Sequence, residues 1–186
     1  LIAILAIVVI WFLSKRYYFE PKNEEAAAKL VWCEQNLARD SFALALNGDG
    51  INSGYAEIYS SYKITKAKNE AAIGAAVCSF HLGKYDDAID YAKKANRKSI
   101  NFAPAMDGLI GDCYVEKGDT KEALKYFEKA IAYGNEALSP HFLKKAADLY
   151  LFELKDNKKA LEYYQTIKDK YTSNWLRNNT THSAYG

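Results

Sequence analysis

The chain has 186 residues, with 25 basic and 23 acidic side chains and a formal charge of +2. This balance argues against a protein that binds nucleic acid through a broad basic face, because such binding needs many uncompensated Lys and Arg side chains. Hydrophobic residues make up 49% and charged residues 26%, as is usual for folded proteins, and 10 Gly, 3 Pro and 3 Cys exclude collagen-like and disulfide-dense classes. The length predicts one folded domain with a small additional segment.

An uninterrupted apolar run occupies residues 1–13 and is followed by Ser14, Lys15 and Arg16. About 20 apolar residues are needed to span a bilayer, but the sequence does not begin with Met, so we expect the run to be the second half of a longer span. A cleaved signal peptide needs a small-residue cleavage site after the apolar run, and a lipoprotein needs a cysteine there. The sequence has neither. The run is therefore interpreted as an N-terminally incomplete transmembrane anchor over 1–16, with a buried core helix as the alternative. The visible charges leave its orientation open, because the charges before the span are not seen.

Residues 17–68 have the pattern of helices that precede a repeat array. A long helix is predicted over 23–46, where the Asn-Gly-Asp-Gly loop at 47–50 ends it, and a shorter helix over 53–64. A terminal hairpin must cover the apolar face that the first repeat cannot bury by itself. We therefore expect this segment to be a capping hairpin.

An internal repeat follows, with the pattern G-x-x-x-x-A-[IL]-x-Y-x-x-K-A beginning at Gly83 and again 35 residues later at Gly118. A third copy has Lys155 in the place of the glycine. The glycine allows a tight turn and the alanine a close approach of two helices. This pattern matches the turn and second helix of a tetratricopeptide repeat, and it predicts first helices over 70–82, 104–117 and 141–154.

The predicted fold class is all-α: a tetratricopeptide-repeat helical-hairpin solenoid preceded by one N-terminal transmembrane helix. The predicted segments are the anchor (1–16), the N-terminal capping segment (17–68), the repeats (69–171) and a polar tail (172–186). We expect the tail to be poorly ordered because it is polar throughout most of its length.

Several short segments resemble one particular group of these repeat proteins. They are YFEP (18–21), DSFALALNGDG (40–50), GYAEI (54–58), TKAKN (65–69), IGD (110–112), NEALSP (135–140) and LKKAA (143–147). The set resembles the single-span periplasmic tetratricopeptide-repeat proteins of Gram-negative bacteria related to the ancillary subunit of the SecYEG translocon. The resemblance implies a bacterial inner-membrane protein with its repeats in the periplasm. It implies two protein partners, the translocon and a periplasmic prolyl isomerase chaperone, and no catalytic residues.

The residues that could carry chemistry are few. The histidines at 81, 141 and 182 do not have the spacing of a metal site. Cys78 and Cys113 occupy equivalent positions in successive first helices, whose axes lie about 8–10 Å apart, whereas a disulfide needs Cα atoms within about 7 Å. Buried free thiols are therefore predicted for these two and for Cys33. No cofactor and no small-molecule substrate are expected, and a cysteine-dependent redox or metal enzyme is the alternative of another class.

The first helices of such repeats line a groove, and the repeat positions predict which side chains face it. The predicted partner-binding residues are Glu70, Ile73, Val77, His81, Ala105, Asp112, Glu116, Phe142, Lys145, Leu149 and Glu153. Apolar residues with acidic edges favour an extended peptide or a partner helix; packing against the terminal helix is the alternative. The predicted function is a membrane-anchored, non-enzymatic scaffold, which the resemblance assigns to the periplasmic exit of the Sec translocon. An envelope-assembly or secretion scaffold is the second interpretation.

Overall fold

The computed structural model describes residues 2–63, 66–96, 98–99 and 101–182, with the backbone alone for 2–3 and 172–182. Within these ranges every regular element is helical, apart from an isolated β-bridge between Gly48 and Ser53. The chain divides into two compact units, Leu1–Ala95 and Asn96–Gly186. The division falls inside the region predicted to hold the repeats.

The first unit begins with one long helical stretch and continues with four further helices. Its elements are α1 (Ile2–Ser14), a π-helical segment (Lys15–Phe19), α2 (Glu20–Leu37), α3 (Phe42–Asn47), α4 (Tyr55–Ser61), α5 (Lys66–His81) and α6 (Tyr85–Lys94). In α1 the side chains of residues 4–13 are exposed, so a buried core helix is wrong for this segment. Among the described helices, none combines the length and the apolar character that crossing a membrane requires. Helix α1 has 13 residues, whereas a span needs about 20, and the transmembrane helix predicted over 1–16 is not confirmed.

The long helix predicted over 23–46 is wrong, because the chain turns between α2 and α3. Asp40 has a left-handed backbone with φ 55°. The N–H of Ser41 donates to the carbonyl of Asn36 at 2.9 Å, and the N–H of Asp40 donates to that of Leu37 at 3.0 Å. These two bonds form a Schellman motif, which ends a helix by satisfying its last carbonyl groups. Helix α3 can therefore turn back and pack against both α2 and α5.

Helices α2, α3 and α4 cover one face of α5. Their shared core contains Leu30, Cys33 and Ile58, all at most 2% exposed, with small residues of α5. Gly74 lies under the ring of Tyr55, and a Cβ at this position would overlap that ring. The segment thus buries an apolar face of the first helix of a hairpin, which a single hairpin cannot do.

The second unit contains two helical hairpins. They are formed by α7 (Phe102–Glu116) with α8 (Thr120–Ala132), and by α9 (Ser139–Phe152) with α10 (Asn157–His182). The polar sequence after residue 171 predicts a poorly ordered tail, whereas helix α10 continues to His182. Residues 183–186 lie outside the described part of the chain. The first helices begin within a few residues of their predicted starts.

The three hairpin turns have the conformation that the repeat pattern predicts. Gly83 and Gly118 have φ values of 71° and 74°, and Lys155 has φ 56°. Glycine adopts this left-handed region without steric cost, whereas a residue with a Cβ does not. The third turn therefore keeps the geometry of the other two in spite of its lysine.

The core of the second unit is built around two aromatic rings. Phe127 is fully buried and Phe142 is 5% exposed, with ring centroids 6.2 Å apart and nearly parallel planes. Two glycines of α7 make room for them: a Cβ at Gly111 would lie 2.5 Å from a ring carbon of Phe127, and one at Gly108 would overlap the Phe142 ring. The glycines set how closely α7 approaches its neighbours.

Candidate partner-binding surface

An ion pair joins the two first helices of the second unit. The ammonium of Lys145 on α9 lies 2.6 Å and 2.7 Å from the carboxylate oxygens of Asp112 on α7. Their side chains are 31% and 23% exposed, so the pair is partly desolvated. Burial raises the pKa of Asp112, although Lys145 acts in the opposite direction. Two residues that the repeat positions placed in the groove are therefore in direct contact.

The electrostatic environment around this pair also affects His141 at the start of α9. Burial, together with the positive charge of Lys145, lowers the pKa of His141. A neutral imidazole is thus favoured next to the lysine, and the positive charge at this position comes from Lys145.

Other predicted residues of the second unit lie at the surface to different degrees. Ala105 and Leu149 are half-buried, and Glu116 and Glu153 are exposed. The surface thus offers two apolar contacts, an ion pair and two carboxylates, which suit a peptide that has both apolar and basic side chains.

The prediction that Phe142 faces the partner-binding groove is wrong. Its ring is 5% exposed and packs in the core instead of facing a groove. The physical reason is Gly108, which leaves the space that the ring fills. The sequence contained a signal for this, because Gly108 is at the repeat position that Ile73 and Lys145 occupy in the other copies.

The remaining predicted residues belong to the first unit, all on α5. Glu70 is exposed, and Ile73 and Val77 are half-buried. The exposed ring of His81 stacks on Phe42 of α3, with centroids 4.2 Å apart and an interplanar angle of 7°. One side of His81 is thus already occupied by the chain itself.

The thiol groups are buried and free, as predicted. Burial raises the pKa of Cys33 to about 11 and that of Cys78 to about 12. Because the thiolate is the reactive form, both groups are poor nucleophiles at neutral pH. Within the described residues, no group of three His, Cys, Asp or Glu side chains is arranged to hold a metal ion.

Comparison with protein families matches residues 109–174, about a third of the chain, to the tetratricopeptide repeat. Comparison with curated proteins gives no significant match. The matched region contains α8 and α9 with large parts of α7 and α10, so the similarity to this repeat covers both hairpins of the second unit. Such repeats are protein–protein interaction scaffolds. The match identifies this general family and does not distinguish the translocon-related group within it.

Proposed function

We propose that the chain is a non-enzymatic scaffold, held at a membrane through α1, that binds a protein partner on the surface formed by α7 and α9. The observation that carries the proposal is the Asp112–Lys145 pair within the tetratricopeptide-repeat segment. A partner that covers this surface can engage both charges as well as the half-buried Leu149. Covering these charges with a partner removes water from them, which favours partners of complementary charge and rejects others.

Membrane attachment is supported by the apolar surface of α1. Ile4, Ile10 and Trp11 are 67%, 63% and 64% exposed, and a continuous exposed apolar surface of this kind is typical of contact with a membrane or a partner. Lys15 lies 5.6 Å from the centre of the Trp11 ring, the pairing of basic and aromatic residues found at membrane interfaces. Attachment would raise the effective concentration of the repeats near membrane proteins.

The partner we propose is the SecYEG translocon at its periplasmic exit, with a periplasmic prolyl isomerase chaperone as a second component. Support for this choice comes from the sequence resemblance of the segments at 18–21, 40–50 and 135–140. Under this proposal the chain lies at the bacterial inner membrane with its repeats in the periplasm.

The experiment that tests the partner surface is site-specific photo-crosslinking in cells. A benzoylphenylalanine is placed at Glu116 or at Glu153, which are exposed on the proposed surface, and at the exposed Glu162 of α10 as the matched control. We expect translocon subunits or the prolyl isomerase to crosslink from 116 and 153 and not from 162. Crosslinks to outer-membrane machinery would overturn the choice of partner, and equal crosslinking from all three positions would overturn the surface.

Membrane attachment has its own test. Full-length protein should remain in the membrane fraction after carbonate extraction, and Ile4→Asp with Ile10→Asp should release it. Both side chains are exposed, so their replacement leaves the repeats folded, which circular dichroism checks. Release of the unmodified protein by carbonate would refute attachment through α1.

A further inference from the structure

A groove in the second unit is lined mainly by α8, which is not part of the proposed partner surface, and by residues at the end of α9. It has a volume of about 420 Å³ and is lined by Lys121, Leu124, Lys125 and Glu128 of α8, together with Tyr150 of α9 and Leu154 just after it. None of these residues belongs to the predicted partner-binding set, which contains only the groove-facing positions of the first helices.

The floor of this groove is apolar. Leu124 and Tyr150 are each 7% exposed, which means that they belong to the core and offer one edge to the groove. Leu154 is 51% exposed, so much of its apolar side chain contacts water. Covering such a side chain contributes roughly 25 cal/mol for each Å² that is removed from water.

Among the described residues that line the groove, the single carboxylate is already engaged with the protein. Glu128 accepts hydrogen bonds from the Tyr163 hydroxyl at 3.0 Å and the Tyr150 hydroxyl at 3.4 Å. Its negative charge is therefore directed toward the junction of α9 and α10. The bond to Glu128 also orients the hydroxyl of Tyr150, which lines the groove.

Two lysines line the groove, and a third contacts one of its lining residues. Lys121 and Lys125 are one turn apart on α8, and both are exposed. Lys159 adds a third ammonium, 3.4 Å from the Tyr150 hydroxyl and 4.9 Å from the centre of its ring. Lys125 pairs with Glu122 at 2.9 Å, with side chains 65% and 30% exposed. An exposed pair of this kind contributes little free energy, so an incoming carboxylate can compete with Glu122.

We propose that this groove binds an acidic peptide segment of a second partner protein. An apolar side chain of that segment covers Leu154, and its carboxylates pair with Lys121 and Lys125. Charge complementarity decides the class of occupant, because an apolar floor between ammonium groups favours a segment that alternates apolar and acidic residues. The groove is independent of Asp112 and Lys145, so the scaffold would hold two partners at once.

The test uses the full chain in a nonionic detergent and fluorescence anisotropy of a labelled peptide of three Glu-Glu-Leu repeats. Lys121→Glu with Lys125→Glu should weaken binding about tenfold or more, since like charges then face each other. The matched control is Lys63→Glu with Lys66→Glu, two exposed lysines of the first unit that give the same change in net charge. This control should stay within about twofold of the unmodified chain if local pairing, not net charge, determines affinity.

A second variant separates the apolar contact from the charges. Leu154→Ser removes an exposed side chain, so the fold is expected to persist, and peptide binding should weaken about threefold or more from lost apolar burial. Equal weakening by the two lysine pairs, or no binding of the peptide, would overturn the proposal.

Two further measurements assign the groove to another occupant if the peptide fails. Loss of binding to phosphatidylserine vesicles in the Lys121→Glu, Lys125→Glu variant would make the groove a lipid site. A concentration-dependent dimer that the same variant abolishes, seen by sedimentation, would make the occupant a second copy of the chain. Crosslinking from Glu116 and Glu153 should persist in the Lys121→Glu, Lys125→Glu variant, because neither lysine belongs to the proposed partner surface, so failure here is distinguishable from failure of that surface.

Discussion

Replacing Gly108 by Ala should destabilise the second unit, although Ala is the better helix former. Gly108 is buried in the middle of α7, and a Cβ there would overlap two ring carbons of Phe142. The ring cannot swing into solvent, because it is 5% exposed and packs against Phe127 with centroids 6.2 Å apart. Either the ring or the helix must move to accept the methyl group.

The magnitude follows from two opposing effects at Gly108. Overpacking a core costs about 1–3 kcal/mol, and the overlap with a confined ring places this site near the upper end. Replacing Gly by Ala in a helix interior stabilises the folded state by roughly 1 kcal/mol through helix propensity. The expected net loss in the free energy of unfolding is therefore about 2 kcal/mol.

Urea unfolding monitored by circular dichroism measures this loss, and a double variant tests its cause. In Gly108→Ala with Phe142→Leu the clash is relieved, so the combined loss should be smaller than the sum of the two single losses by about 1 kcal/mol or more. A gain of about 1 kcal/mol for Gly108→Ala, which propensity by itself predicts, would refute the reasoning. Strict additivity in the double variant would do so as well.

Three other predictions concern a turn, the thiols and the Asp112–Lys145 ion pair. Lys155→Gly should raise the free energy of unfolding by about 1 kcal/mol because it removes the steric cost of a left-handed backbone, while Lys155→Ala should give no such gain in thermal unfolding. Cys33 and Cys78 should not react with Ellman's reagent at pH 8 until urea is added, because their pKa values are raised to about 11 and about 12; rapid labelling of the native protein would contradict their burial. Asp112 has a raised pKa in the folded state, so its carboxyl holds a proton more tightly there than in the unfolded chain. Its contribution to stability is therefore largest below its ordinary pKa of 3.8 and falls as pH rises through the folded-state pKa. Relative to Asp112→Asn, the unmodified chain should lose stability over that pH range in urea titrations, and a gain would show that Lys145 outweighs burial.

The hairpin turns could be predicted from the sequence because close helix packing restricts residue choice at fixed intervals. The alanine of each second helix identified three turns, two of them with a glycine before it and the third with Lys155, and the backbone has positive φ at each. The stop between α2 and α3 could not be predicted in this way. Asp40 takes the left-handed position there without a glycine or proline, and the bond from Ser41 to Asn36 that ends α2 involves only backbone groups.

The sequence could predict which side of a helix the candidate surface residues lie on, but not how deeply each side chain is buried. A repeat position fixes which side of a helix a residue lies on, and it placed Asp112 and Lys145 in the same predicted groove, where the structure shows them in contact. Their ion pair depends on two side chains 33 residues apart in the sequence, which no local pattern specifies. Whether a residue is surface or core depends in the same way on its neighbour, as Phe142 and Gly108 demonstrate.

This dependence on neighbours determines which variants can test partner binding. Truncating Phe142 to Ala would cost about 3–5 kcal/mol through the cavity it leaves, and any loss of binding would then reflect unfolding of the second unit. The exposed carboxylates of Glu116 and Glu153 can be changed without such a cost, since surface substitutions usually stay within about 0.5 kcal/mol. A partner that recognises this surface should therefore respond to charge reversal at these two positions more strongly than to any truncation that leaves the fold intact. Because Phe142 is buried, its ring cannot serve as an aromatic anchor for a partner.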